Sequence, residues 1–428
     1  MELPSFVPLT STLASGVRAS AISLPGLHSA MIEAHVRVGS RFETATDNGV
    51  SHFLEHMLYR GTARHPSAHE LALAFEELGG SLDAATYVDH MTLGVSVPPE
   101  NIARVLPIFA EVFRAPILGG LDTEKGIVRE EILEGLDDDG LEIDADNLVR
   151  RLSFGDHPLG YPITGTLLHL ERFDRGLLER HHAARFVGDA TAVTIAGPID
   201  PERVLPALEA LFGDLPGGAP PDFDAPPPQA EARFSHVRHA SSQTDLRVAF
   251  RAPGDHHADE PAVELLLRCL DDGMATRLYH ELCDARGLCY DVSAAFEAYS
   301  DAGLLDIAAE AAPERAAAVL EKVLEVLRTL RDEGPSDTEL SRVKERLGWQ
   351  LRELMDSPSA VTDYVGFGRL TGSGRTPKER YETLCAVSRQ DVRAAAERWL
   401  TRERLSVVAV GSASRRASDA LARLVHRF

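Results

Sequence analysis

No run of about 18 apolar residues occurs in the 428-residue chain, so no membrane-spanning helix is expected. Basic residues are scarce, with 44 Lys and Arg against 66 Asp and Glu and a net charge of −22. That balance speaks against a nucleic-acid partner, which would want a basic footprint. It reads instead as a solvated surface that keeps a protein soluble. Cysteine is rare as well: Cys269, Cys283, Cys289 and Cys385 all lie in the second half, none in CxxC spacing. They read as free thiols in a reducing compartment. The opening stretch MELPSFVPLTSTLASG has neither a positively charged n-region nor an apolar h-region, so no signal peptide is expected. Together these absences point to the cytoplasm.

What is present is an ordinary globular composition, 44% apolar and 26% charged, in a chain too long for one core and sufficient for two large domains. One Pro/Gly-rich stretch, GDLPGGAPPDFDAPPPQAEAR (213–233), falls at mid-chain and has the composition of a connector. On either side runs a faint repeat. LDTEKGIVREEI from Leu121 resembles SDTELSRVKERL from Ser336; DATAVTIAG ending at Gly197 resembles ERLSVVAVG ending at Gly411. Each half opens with strand-like alternation, SAMIEAHVRVGS and TDLRVAFRAPG, and continues into helical periodicity, as in SAHELALAFEELGG and ERAAAVLEKVLEVLRTLRDEG. The expectation is an α+β protein of two homologous domains, each an antiparallel sheet packed with helices. The domains are 1–214 and 234–428, joined by a linker at 215–233.

The stretch VSHFLEHMLYRGT (50–62) carries the chemistry. On a helix, His52 and His56 sit i,i+4 on one face, close enough to share a small cation. Asp47 or Ser51 is expected to cap that helix. Zinc accepts neutral imidazoles and wants a third protein ligand; Glu55, beside that face, is placed to take a proton from water. The third ligand must be a carboxylate from elsewhere. DTEKGIVREEILEG offers Glu124, Glu130, Glu131 and Glu134 on one helical stretch, with Glu124 and Glu131 two turns apart on a shared face.

These residues resemble the pitrilysin/insulinase family of zinc peptidases, in its short two-domain bacterial form similar to mitochondrial processing peptidase. SHFLEHMLYRGT resembles the family's inverted HxxEH zinc helix. ELGGSLDAATYVDHMTLGVSVP resembles its Gly-Gly turn and sheet-edge strand, and EKGIVREEI its Glu-x6-Glu pattern. HPLGYPITGT, ARFVGDATAVTIAG and the repeat carry the resemblance along essentially the whole chain. It implies two domains closing like a clamshell. It implies zinc on His52, His56 and Glu131, Glu55 as general base, and Glu124 orienting a histidine ligand. It implies a peptide substrate adding as a strand along Asp83, Ala84, Ala85 and Thr86.

Two departures qualify this. Asp83 stands where the family usually has Asn, and an ionised Asp cannot donate to a substrate carbonyl. In LCDARGLCYDV the family's Arg position holds Cys283, while Tyr290 of its Arg/Tyr pair remains. A thiol cannot supply that Arg's charge. The expected role is therefore a zinc-dependent endopeptidase for short or unstructured peptides, the metal-bearing subunit of a heterodimer whose sister chain brings an Arg/Tyr pair. Maturation of a ribosomally made precursor, such as that of pyrroloquinoline quinone, is one alternative. A non-catalytic scaffold subunit is the other.

Overall fold

The computed structural model describes residues 6–428. Two sheets organise it. The first contains β1 (Leu9–Thr12), β2 (Arg18–Ser23), β3 (Ala30–Val36), β4 (Leu82–Thr86), β5 (Met91–Val97) and β6 (Thr191–Gly197), in the order β1-β2-β6-β3-β5-β4. The second contains β7 (Arg233–Arg238), β8 (Thr244–Ala252), β9 (Val292–Ala298), β10 (Gly303–Ala311) and β11 (Leu405–Gly411), in the order β7-β11-β8-β10-β9. Each sheet is antiparallel apart from one parallel pair, β2 with β6 and β7 with β11. The last strand of each half returns after a long helical excursion and slots in beside an early strand, which a parallel pairing allows. Residues 213–232 hold no helix or strand. No helix among the described residues is long and apolar enough to cross a membrane.

Strand alternation sets what each face meets. In β3, Ile32, Ala34 and Val36 point into the first core, against Phe53, Leu54 and Met57 of the helix Val50–Leu58. Full burial of a side chain of this size is worth about 1.5–3 kcal/mol, so this helix is firmly seated on the sheet. Glu33 and His35 alternate onto the opposite face. The pattern reads as a half-buried strand, yet all seven residues of β3 are buried. The reason is a helix from the other half: Pro358–Thr371 lies on the outer face of the first sheet, against β3 and β6. Reciprocally, Ala145–Phe154 from the first half lies on the second sheet, against β8 and β11. Each half thus covers its partner's sheet with one helix, and strands buried on both faces result.

Candidate metal centre

The helix Val50–Leu58 starts after Gly49, which adopts φ +93°, a conformation glycine takes without strain. Neither expected cap serves. The Asp47 carboxylate accepts from the Thr44 amide and hydroxyl instead, and the Ser51 hydroxyl meets His181 Nε2 at 3.0 Å. The first-turn amides go to Glu43, which accepts from the Gly49 and Ser51 N–H groups and from the Asn48 side chain. One buried carboxylate from the preceding loop thereby satisfies two orphan amides at the positive end of the helix. Burial pushes the Glu43 carboxyl above its ordinary range, with these donors opposing.

One turn of helix brings His52 and His56 onto one face, ring centroids 4.7 Å apart. The helix Leu121–Glu134 packs alongside and delivers both of its face-sharing glutamates. Glu131 bridges the imidazoles: Oε1 lies 3.3 Å from His52 Nε2 and Oε2 lies 3.4 Å from His56 Nε2. The three residues each offer a ligand atom within 4.8 Å of the others. Tetrahedral zinc with bonds of about 2.0–2.1 Å sets its ligands roughly 3.3–3.4 Å apart, the spacing seen here. His56 Nδ1 faces Glu124 Oε1 at 3.0 Å. An acceptor there fixes the tautomer with hydrogen on Nδ1 and leaves the Nε2 lone pair for a metal. Arg60 holds the other Glu124 oxygen at 3.3 Å. Gly120, φ +72°, leaves the room, since a Cβ there would sit 2.7 Å from the Arg60 guanidinium. The donor set fits zinc. Glu130 and Glu134 are exposed and outside the cluster.

Charge at the site follows from these contacts. Hydrogen bonds from His52 and then His56 hold the Glu131 carboxyl well below the usual range. Burial disfavours a charged His56, but Glu131 and Glu124 outweigh it and raise its pKa. Glu131 itself is the most open of the three, its side chain 40% exposed, although its sequence neighbours Val128 and Ile132 are buried. Glu124 therefore stands on the buried side of its helix, while Glu131 reaches the site from the open rim.

Glu55 is buried one residue before His56 and accepts a 2.7 Å hydrogen bond from the Thr86 hydroxyl. Thr86 ends β4, the last strand of its sheet, so that strand's outer edge has no partner among the described strands. Asp83 is exposed on the same strand, with Ala84 and Ala85 between them half-buried. Tyr59, one turn beyond His56, is hydrogen-bonded with the Ala84 backbone; burial, then Glu55 and Asp83, push its phenol up. Tyr59, Arg60 and Glu43 all serve this site and escaped the reading of the sequence, although the first two sit inside the zinc-helix stretch itself. Tyr290 is not brought into the cluster: it stands 93% exposed just before β9. Cys283 faces Cys289, Sγ to Sγ 3.7 Å, and both are free thiols. Arg286 is spent on Glu281.

A two-sheet peptidase-like fold with a histidine–carboxylate metal cradle at a sheet edge defines a class, and comparison with known proteins agrees. Residues 19–166 match the family described as "Insulinase (Peptidase family M16)", and residues 172–347 match "Peptidase M16 inactive domain". The chain belongs to this peptidase family. A Mycobacterium tuberculosis protein named "Uncharacterized zinc protease" is 29% identical over 409 residues, 93% of this chain and 92% of its own. A Bacillus subtilis protein named "Uncharacterized zinc protease YmxG" is 28% identical over 398 residues, 92% of this chain and 95% of its own. The solved structure of a Helicobacter pylori protease superposes with TM-score 0.88 at 18% identity, covering 95% of this chain and 100% of that one. A Pseudomonas fluorescens "peptidase M16 inactive domain" gives 0.87 at 20% identity, over 95% and 98%.

Proposed function

We propose that this chain is a zinc-dependent endopeptidase acting on short or unstructured peptides. His52, His56 and Glu131 would hold zinc, which when bound supplies Lewis acidity toward a peptide carbonyl and toward water. Glu55 takes the proton of the attacking water and passes it to the leaving amine. Thr86 holds the Glu55 carboxylate by its Oε2, fixing its direction relative to β4. The peptide lies extended along the open edge of β4, read first through main-chain hydrogen bonds. The observation that carries this reading is the meeting of three ligand atoms and a buried Glu at an unpartnered strand edge. Relatives named zinc proteases support it.

The second half favours a divided enzyme. Cys283 brings no positive charge to the position where the family pattern has Arg, and Tyr290 points into solvent. A sister chain carrying an Arg/Tyr pair would complete the oxyanion contacts. The test is cleavage of a mixture of unstructured peptides by the zinc-loaded chain purified alone. Cleavage that a chelator stops and zinc restores supports the peptidase and removes the need for a sister chain. Stoichiometric zinc with no cleavage supports the divided enzyme. Failure to bind zinc at all sinks the reading.

A further inference from the structure

A second cluster of metal-ligating side chains lies where the halves meet. Glu33 and His35, two apart on β3, face the helix Pro358–Thr371, which presents Asp363 to them. His35 Nε2 lies 3.2 Å from Asp363 Oδ1, and one ligand atom from each of the three falls within 4.8 Å of the others. That spacing matches the one between His52 and Glu131. We propose that Glu33, His35 and Asp363 form a second divalent-cation site of the zinc type, pinning the second half's helix to the first half's sheet.

Three observations beyond the clustering point to a cation. The first is unbalanced burial. Glu33 is 7% exposed and the His35 side chain is wholly buried, yet neither Glu33 nor Asp363 has a lysine or arginine ion-pair partner among the described residues. A buried carboxylate without a cation is costly. Thr362 donates 2.7 Å to Glu33 Oε2, which leaves Oε1 free. Burial pushes the Glu33 carboxyl up, with His35 and Thr362 opposing.

The second is the orientation of His35. Its Nδ1 has no hydrogen-bond partner and is pressed against Gly366, where a Cβ would come within 2.4 Å. The ring is therefore wedged with Nε2 toward the carboxylates.

The third is the other half of the molecule. Glu33 lies opposite Thr194 on β6, and Arg247 lies opposite Val408 on β11, the same place in the repeated sheet. There the Arg247 guanidinium sits among Asp146 at 2.6 Å, Asp245 at 3.3 Å and Asp306 at 3.3 Å. The second half carries a built-in cation at this helix–sheet junction. The first half offers two carboxylates and an imidazole around the equivalent space, a donor set suited to zinc. Across the sheet, Glu33 pairs with Gly94 and Gly94 with Asp83. A cation here would stiffen the frame two strands in from the edge strand β4.

The experiment removes the first site and asks what zinc remains. The full chain carrying His52→Ala and His56→Ala is dialysed to equilibrium against zinc chloride, then metal content and thermal midpoint are measured. The expected result is one zinc per chain, a midpoint raised by zinc, and loss of both effects when Asp363→Asn is added. Asp363 is 63% exposed, so that change leaves the core intact. A double variant that retains no zinc overturns the proposal. So does zinc retained equally after Asp363→Asn, for instance on the Cys283/Cys289 pair.

Discussion

In the first half, the helix Val50–Leu58 packs against Leu121–Glu134 and the edge strand β4; in the second, Glu260–Leu270 packs against Asp337–Glu353 and the edge strand β9. The paths match, but the cations differ. The repeat sets Glu124 on Glu339 and Glu131 on Arg346. Glu124 turns a histidine toward a metal cradle. Glu339 is gripped instead by Arg277 through two hydrogen bonds of 2.7 Å, and Arg346 reaches Asp272 at 3.0 Å. The second helix carries no histidine; its Glu264 and Arg268, at the same i,i+4 spacing, pair with each other at 3.2 Å. One scaffold therefore supports two ways of neutralising helix carboxylates: a fixed guanidinium, which closes the site, or histidines that leave room for an exchangeable ion. The guanidinium is permanently charged and cannot act as a Lewis acid. In the first half Arg60 holds only one oxygen of Glu124, and the other is left to His56.

The largest effect expected is from erasing the difference directly. His56→Leu, which takes away a histidine the second half does without, should abolish zinc binding and chelator-sensitive cleavage together; retained zinc after dialysis would mean the ligand set is wrong. The next attacks the other side. Arg277→Ala strands the half-buried Glu339 carboxylate, its side chain 12% exposed, and should cost about 1–3 kcal/mol in denaturant unfolding, the usual cost of leaving a polar group without its partner. Zinc content should not change, and a fall in it would show that the halves are not independent in this respect. Glu124→Gln keeps the fold but loosens the tautomer control of His56, weakening zinc by about 10–100-fold, measured by competition with a chromophoric chelator. An unchanged affinity would assign Glu124 to the Arg60 ion pair alone.

The last effect is set by pH. Burial, then Arg185, lowers His181 from 6.5 to about 4, and it sits neutral against Ser51 on the zinc helix. A depressed histidine pKa means the unfolded chain takes up the proton first. Its contribution is complete above pH 6.5 and is lost as pH falls toward 4, on the order of 3 kcal/mol. His181→Gln should flatten that slope in urea midpoints measured across the window; an unaltered slope would assign the acid sensitivity elsewhere.

Much of the metal centre was legible because its parts are local. His52, Glu55 and His56 share two turns of one helix, and the family pattern selects Glu131 from four candidate glutamates. The paired domains followed from the repeat. What stayed hidden depends on chain segments far apart. The capping of the zinc helix passed from Asp47 or Ser51 to Glu43, because a loop carboxylate reaches two amides that a local side chain would reach singly. The full burial of β3 depends on a helix more than three hundred residues away, as does the Glu33–His35–Asp363 cluster. Thr86 reads as a substrate-edge residue, and only the folded sheet shows its hydroxyl spent on Glu55.

The central claim is that Glu55 moves the proton at a zinc site built by His52, His56 and Glu131. Its most direct test is peptide turnover by Glu55→Gln with zinc content measured on the same sample, assayed alone or with whatever sister chain the wild type requires. The account predicts full zinc occupancy and turnover reduced by about 10²–10⁴, because an amide cannot accept the proton. Turnover at the wild-type rate with zinc in place would contradict it.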